Sequence, residues 1–192
     1  MKKNISEFTI ITLGILLFFV WAVWKGYTIY NNYPNPPIQT YCYGETVQIG
    51  SFQITFQEWQ WGNGSLLKTR FPDFPLTCVE VDSSSKNVRM GLIGITVEKI
   101  CEGDDVLDMA NVCFSAGAWG NQFDLDLFYR LNSEMDDMML DLTVGETQQV
   151  TLPLMVLESQ FTEKQWRGID SRKFYINFQY YPEHVRFLCP CY

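Results

Sequence analysis

The chain has 192 residues, with 22 acidic and 14 basic side chains and a formal net charge of −8. That length allows one domain with a full hydrophobic core plus accessory segments. Because the charge is negative and no basic stripe occurs, we predict no nucleic-acid partner. The aromatic content of 16% is the one unusual feature of the composition.

An uncharged apolar run occupies residues 8–24. Its length is near the lower limit for a helix that crosses ~30 Å of hydrocarbon. Lys2 and Lys3 precede the run and only Lys25 follows closely, so the positive-inside rule places the N-terminus in the cytoplasm. We predict a single-pass anchor that contacts the cell membrane through residues 5–24, with the rest of the chain extracytoplasmic.

Two other interpretations of this run remain open. A cleaved signal peptide requires small residues before the cut, and Ala22, Val23 and Trp24 match that requirement poorly. The core helix of a soluble protein is the second alternative.

The predicted organisation has three parts. Residues 1–27 form the cytoplasmic tip and transmembrane anchor, residues 28–40 a stalk, and residues 41–192 an extracytoplasmic domain. The stalk contains Pro34, Pro36 and Pro37, whose restricted φ angles favour an extended, semi-rigid chain.

Short segments of alternating polarity follow the stalk. The sequence SFQITFQ places Phe52, Ile54 and Phe56 on one face of a strand, and the alternation slips before Trp59 and Trp61, which predicts a β-bulge. WGNGSLLK predicts a turn. A single-turn helix, capped by Thr162, is predicted before the last strand. The other predicted strands are 76–82, 88–100, 111–117, 124–132, 145–156 and, as the last, 173–182.

About eight strands at turn-marked spacing predict a mainly β protein, an immunoglobulin-like antiparallel β-sandwich preceded by one N-terminal transmembrane helix. The first and last strands of a sandwich often lie close together, so Cys42 is expected near the C-terminal cysteines.

Four stretches carry a resemblance: VEKICEGDD, FSAGAWGNQFDLDLFYRLN, LTVGETQQVTLPLMVL and YYPEH. With the anchor and the stalk, they are similar to uncharacterised, membrane-anchored, immunoglobulin-like extracytoplasmic proteins of Gram-positive gut bacteria, a domain of unknown function. The resemblance implies fold and location and brings no catalytic residues. Six cysteines are more than that group leads us to expect. The most recognisable pattern comprises Leu142, Gly145, Glu146, Leu152 and Pro153.

Catalytic signatures are scarce in the sequence. His184 is its single histidine, and G-x-S-x-G, zincin and Walker patterns do not occur. The acid pair Asp124 and Asp126 lacks any sign of a glycosidase cleft. We therefore predict a non-enzymatic cell-surface binding module without a cofactor, whose partner is a protein or an envelope component.

Tryptophans are the candidate binding residues, because large rings concentrate in interaction hot spots. Trp119 is the first candidate, since it lies between small residues in a loop-like context where a ring is hard to bury. Trp59, Trp61 and Trp166 are the others. Core packing is the alternative for all four.

All six cysteines lie beyond the anchor, an even number typical of an extracytoplasmic disulfide framework. Their connectivity stays open among 15 possibilities. We name Cys42 with Cys189 or Cys191 first, and fully free buried thiols are the alternative. The disulfide candidates are Cys42, Cys78, Cys101, Cys113, Cys189 and Cys191.

Two weaker metal hypotheses concern acidic and thiol groups. Oxygen atoms of one acidic loop suit a hard cation such as calcium, although the EF-hand spacing is missing. A zinc site would use His184, Cys189 and Cys191, although structural zinc sites prefer wider cysteine hooks. A thiol- or metal-dependent envelope protein using the C-terminal Cys-Pro-Cys is therefore the alternative function. The calcium candidates are Glu102, Asp104, Asp105 and Asp108.

Overall fold

The computed structural model describes residues 3–63, 65–70 and 86–189. The chain divides into two compact units, residues 1–37 and residues 38–192. The strand predicted over residues 76–82 lies outside the described residues.

The first unit contains one helix, α1, over Lys3–Asn32. Its segment Thr9–Asn32 is long and apolar enough to cross a membrane. At ~1.5 Å per residue that segment extends ~36 Å, more than the ~30 Å of a hydrocarbon core. The helix therefore continues into the predicted stalk, because no proline interrupts the chain before Pro34.

The second unit is mainly β. Its described residues include three further α-helices, all of them short: α2 (Ser65–Arg70), α3 (Leu125–Leu131) and α4 (Glu163–Trp166). The strands are β1 (Ile38–Tyr41), β2 (Thr46–Ile49), β3 (Phe52–Gly62), β4 (Val88–Lys99), β5 (Leu107–Asp108), β6 (Cys113–Ala116), β7 (Trp119–Asn121), β8 (Met139–Leu140), β9 (Thr147–Leu157), β10 (Phe174–Gln179) and β11 (His184–Cys189).

The strands form two large sheets, with the orders β1-β11-β10-β6-β7 and β2-β3-β4-β9, and β5 pairs with β8 separately. The rings of Phe56 on β3 and Phe187 on β11 meet at 5.7 Å, so the two sheets pack face to face over one core. This architecture is a β-sandwich, and the prediction of a β-sandwich is confirmed.

One strand pair departs from the antiparallel prediction. β1 runs parallel to β11, with Ile38 opposite His184 and Tyr41 opposite Phe187. Parallel pairing requires a long connection, and here the rest of the domain connects the two strands. The first and last strands thus lie side by side, as expected.

The predicted alternation in β3 is confirmed, because Phe52, Ile54 and Phe56 are buried on the inner face. The register shifts between Phe56 and Glu58, which is the predicted bulge. Beyond the bulge, Trp59 and Trp61 pack against the same core. Alternating buried residues of the neighbouring strands complete this face: Ile93, Ile95 and Val97 of β4, and Val150, Leu152, Leu154 and Val156 of β9.

Helices α2 and α3 cover part of the outer face of the four-stranded sheet. Leu67 of α2 and Leu127 of α3 form a second buried cluster with Val88, Met90 and Leu92 of β4. This cluster explains why the outer-face residues Val88, Met90 and Leu92 of β4 are apolar, since helices cover that face of the strand.

The strand predicted over residues 124–132 is wrong, and the turn predicted over residues 61–68 includes α2. In the first case the Asp124 carboxylate accepts a hydrogen bond from the backbone N–H of Leu127 at 2.9 Å, and so caps α3. The helix places Leu127, Phe128 and Leu131 on one face. This face was not evident from the sequence, because the first residues of the segment alternate as a strand would.

Strand β9 forms one edge of its sheet, and the side chain of Asn132 pairs with it as a further strand would. Its Nδ2 donates to the carbonyl of Thr151 at 2.9 Å, and its Oδ1 accepts from the N–H of Thr151 at 2.7 Å. Pro153 lies on the same strand, where an edge tolerates the missing donor. The Asn132 side chain therefore reduces the number of unpaired backbone N–H and C=O groups along the exposed edge of β9.

The end of the described chain also differs from the prediction. Residues 173–182 contain β10 as predicted, but a further strand, β11, follows and includes Cys189. Pro190 and Cys191 lie outside the described residues. The single-turn helix α4 is confirmed, and Thr162 caps it by accepting from Gln165.

Candidate functional site

Six aromatic side chains from both sheets and the loop before β10 gather at one place in the sandwich. Five are half-buried, and the sixth, Phe174, is only 1% exposed. We refer to Trp59, Trp61, Trp119, Phe161, Trp166 and Phe174 as the aromatic cluster.

Phe174 lies at the centre of the aromatic cluster. Its ring centroid is 5.2 Å from that of Trp61 and 5.7 Å from that of Trp119, the latter in an edge-to-face contact. Trp59 stacks on Trp61 at 5.6 Å with an angle of 13° between the planes. Phe161 then connects Trp119 to Trp166, with centroid distances of 5.6 and 6.3 Å. Such contacts stabilise beyond simple area burial.

Local sequence features position the two stacked tryptophans. The bulge after Phe56 turns Trp59 and Trp61 toward the inner face, and Gly91 on β4 lies directly under the ring of Trp59. A Cβ atom at residue 91 would come within 3.0 Å of that ring. The glycine therefore provides the space that the indole occupies.

Polar groups border the aromatic cluster. Asp170 accepts hydrogen bonds from Arg89 Nε at 2.7 Å and from Trp61 Nε1 at 3.0 Å. The hydrogen bond from Arg89 holds the pKa of Asp170 below its usual value. The Arg89 guanidinium also lies 5.6 Å from the Trp166 ring centroid, a cation–π distance.

Arg172 provides a second cation at this border. Its guanidinium lies 5.2 Å from the Phe161 ring centroid, and Nη2 donates to the carbonyl of Ala116 at 2.6 Å. Its Nε is buried and has no hydrogen-bond acceptor in the part of the chain that the structure describes. A buried donor without an acceptor is costly to the folded state.

The structure brings the four candidate tryptophans together, which the sequence did not indicate. Trp119 lies in β7 and is half-buried, so its prediction as an exposed loop residue is corrected. The partners that sequence reasoning missed are Phe161, Phe174 and the two arginines. These side chains converge because the two sheets pack together, and no local sequence pattern predicts that packing.

In the acidic loop, which is the predicted calcium candidate, two carboxylates form hydrogen bonds with the protein itself. Asp105 accepts from the Ser51 hydroxyl at 2.6 Å and from the Ser51 backbone N–H at 2.7 Å, and these hydrogen bonds lower its pKa. Asp108 accepts from the backbone N–H of Ala110 at 2.8 Å and caps a turn of 3₁₀ helix. Among the described residues, Glu102 and Asp104 do not assemble with these two acids into a metal-ligating group.

The zinc hypothesis is not supported for His184 and Cys189. The two residues are five positions apart on β11, so alternation places them on opposite faces of the sheet. Cys189 is buried in the core, while His184 lies on the outer, half-buried face. Cys191, the third proposed ligand, lies outside the described residues.

The predicted framework of three disulfides is not supported. Cys101, Cys113 and Cys189 carry free thiols. Cys42 is disulfide-bonded, and its partner is none of these three residues. Cys78 and Cys191 lie outside the described residues, so pairing of Cys42 with Cys191 stays a prediction. The buried position of Cys189 raises the pKa of its thiol far above the usual value, which makes this half of the Cys-Pro-Cys motif unreactive.

The fold and the site together define a mainly β, two-sheet protein that also carries one long apolar N-terminal helix. No protein-family model and no curated protein matches the sequence.

Three solved structures of proteins from Gram-positive bacteria are similar in fold. An uncharacterised β-sandwich protein from Clostridium difficile shares 9% identity over 82% of this chain and 97% of its own, with a TM-score of 0.44. A conserved hypothetical protein from Bacillus anthracis shares 10% over 71% and 87%, with a TM-score of 0.44. A functionally unknown protein from Listeria monocytogenes shares 8% over 77% and 80%, with a TM-score of 0.41.

Proposed function

We propose that this protein is a non-enzymatic binding module with an immunoglobulin-like sandwich, displayed outside the cell on the helix α1. The chain passes from one sheet to the other between β1 and β2, between β4 and β6, between β7 and β9 and between β9 and β10, and such crossings are typical of Greek-key sandwiches. The parallel edge pair of β1 and β11 is compatible with this topology. The length and apolar composition of Thr9–Asn32 support the anchor.

The observation that carries the binding role is the aromatic cluster with its arginine border. Tryptophan and arginine dominate interaction hot spots, because they bury large areas and offer directional donors. Four half-buried tryptophans and two guanidinium groups occur together here.

The binding role predicts that truncating one ring of the aromatic cluster weakens partner capture. The full chain in lipid nanodiscs would be used as bait against an envelope extract from the native cells. Trp166→Ala is expected to weaken retention of the captured partner by roughly 30-fold, the effect of removing a hot-spot ring worth ~2 kcal/mol.

Tyr181→Ala is the matched control, because Tyr181 is an 80% exposed aromatic residue outside the cluster. Its capture is expected to equal that of the wild type. Equal capture by Trp166→Ala and the wild type, or equal losses in both variants, would place binding elsewhere on the domain.

The proposed location predicts that Cys101 is accessible from outside the cell. Its thiol is free and exposed, so a membrane-impermeant, bulky maleimide is expected to label it on intact cells. The measurement is the mass shift of the immunoprecipitated full chain, with Cys101→Ser as the control that loses this label. Labelling that requires permeabilised cells would contradict the extracytoplasmic assignment.

A further inference from the structure

Strand β7 forms one edge of the five-stranded sheet. It comes last in the order β1-β11-β10-β6-β7, and β6 is its only partner among the strands that the structure describes. The register places Trp119 opposite Ala116 and Asn121 opposite Phe114. In an antiparallel pair, every second residue of an edge strand directs its backbone N–H and C=O away from the neighbouring strand. The free side of β7 therefore presents backbone donors and acceptors with the spacing of a strand.

The features that usually protect such an edge do not occur at β7. Charged side chains, prolines and bulges are the common means of protection. Residues 109–123 contain neither a charged side chain nor a proline, and β6 pairs with β7 without a register shift. The edge strand β9, in contrast, contains Pro153 and is partly covered by the side chain of Asn132. The domain thus protects the β9 edge and leaves the β7 edge open.

Short side chains keep β7 accessible to another backbone. Gly117 and Ala118 form the turn before β7, and Gly120 lies within the strand. All three residues are exposed, as is Asn121. No bulky side chain at these positions prevents a second backbone from approaching to the ~4.8 Å that separates paired strands.

The aromatic cluster adjoins the same edge. Trp119 belongs both to β7 and to the aromatic cluster, and its ring lies 5.6 Å from that of Phe161. Phe161 in turn lies 6.3 Å from Trp166, and all three rings are half-buried. Because side chains alternate between the two faces of a strand, a strand added to β7 would direct every second side chain toward the inner face, where Trp119 lies. Backbone pairing and side-chain packing therefore favour the same kind of ligand.

The charge nearest to this edge is that of Arg172. Its guanidinium donates to the carbonyl of Ala116, the residue opposite Trp119, and lies 5.2 Å from the Phe161 ring centroid. The ion pairs within the described part of the chain are Arg89 with Asp170 and Arg167 with Glu163, so the charge of Arg172 is not balanced by them. A carboxylate of the ligand would complement this cation, and a basic side chain there would be repelled.

We propose that β7 binds an extended segment of a partner protein, which adds to the five-stranded sheet as a sixth strand. This inference rests on the proposed binding function and specifies its ligand. The segment has aromatic or apolar residues at alternate positions and an acidic residue beside Arg172. Main-chain hydrogen bonds to β7 provide affinity, and packing on the aromatic cluster provides specificity.

The first test uses the full chain in lipid nanodiscs and a library of synthetic peptides of about seven residues. The peptides carry aromatic residues at alternate positions and one acidic residue, and they are selected by affinity. Each selected peptide is then N-methylated at every second amide, in either of the two possible registers. One register removes the donors that face β7 and the other removes those that face solvent. Methylation is therefore expected to weaken binding by roughly tenfold or more in one register only.

The second test compares Asn121→Lys on β7 with Gln48→Lys on β2. Both residues are exposed, polar and located on edge strands. A lysine on β7 is expected to weaken peptide binding by roughly tenfold, because an added strand would remove water from its ammonium group. A lysine on β2 is expected to leave binding unchanged. In the wild type, the bound peptide is expected to slow hydrogen exchange at the amides of β7 and not at those of β2.

Equal weakening in both methylation registers, or equal effects of the two lysine variants, overturns strand addition. Failure to select any peptide overturns it as well. None of these results contradicts the proposed binding function, which is tested by the dependence of partner capture on Trp166. Conversely, register-dependent peptide binding supports strand addition even when Trp166→Ala leaves capture unchanged, so the two proposals fail separately.

Discussion

Replacing Asn132 with alanine is expected to lower the free energy of unfolding by about 3 kcal/mol. The side chain is 5% exposed and makes three hydrogen bonds, of which two go to the backbone of Thr151 on the edge strand β9. The third joins Nδ2 to the carbonyl of Phe128 at 2.7 Å and thereby holds the end of α3. Alanine would leave backbone groups of β9 without partners in a place that water reaches poorly, and each such group costs ~1–3 kcal/mol.

Asn111→Ala is the matched control for this prediction. The side-chain amide of Asn111 donates to Asp108 at 3.0 Å, but Asn111 is exposed, so water can replace the lost partner. We expect a change of less than ~0.5 kcal/mol for this surface variant. Urea unfolding of the full chain in detergent micelles, followed by tryptophan fluorescence, measures both values. A loss below about 1 kcal/mol for Asn132→Ala would show that the β9 edge does not depend on this side chain.

The strands with regular alternation could be predicted from the sequence. β3, β9 and β10 alternate along most of their length, so burial of every second residue identifies them without tertiary information. The bulge after Phe56 was also predictable, because the aromatic residues change parity there. The Thr162 cap is a local signal and predicted α4 for the same reason.

Elements whose local pattern is ambiguous could not be predicted in this way. Residues 124–127 alternate as a strand would, and only the cap by Asp124 and the packing of Leu127 on β4 favour the helix. Strand β11 has six residues, and the Cys-Pro-Cys pattern at its end favours the interpretation that the last strand ends before it. Its pairing with both β1 and β10 shows that it belongs inside the sheet.

The candidate sites depend on contacts between residues far apart in sequence. Trp61 and Asp170 are 109 positions apart, and Arg172 and Ala116 are 56 positions apart. The sequence therefore predicted the four tryptophans only as separate candidates. Sheet packing brings the tryptophans into one cluster, and the loop before β10 brings Arg172 to the carbonyl of Ala116.

Replacing Phe174 with alanine is expected to lower the free energy of unfolding by about 4 kcal/mol and to disorganise the aromatic cluster. Phe174 is 1% exposed and contacts the rings of Trp61 and Trp119, which come from opposite sheets. Removing its ring leaves a cavity between these indoles, because the backbone of β10 is held by strands on both sides. The near-ultraviolet circular dichroism of the tryptophans is expected to weaken, and partner capture should fall with it.

Phe178→Ala separates the loss of stability from the loss of the site. Phe178 lies on the same strand, is 7% exposed and packs edge-to-face on Phe187 at 5.6 Å, so its truncation is expected to cost a similar 3–5 kcal/mol. The aromatic cluster keeps all its rings in this variant, and both the tryptophan dichroism and the capture should persist below the unfolding transition. If the two variants lose capture equally, binding depends on overall stability; loss confined to Phe174→Ala identifies the aromatic cluster as the binding surface.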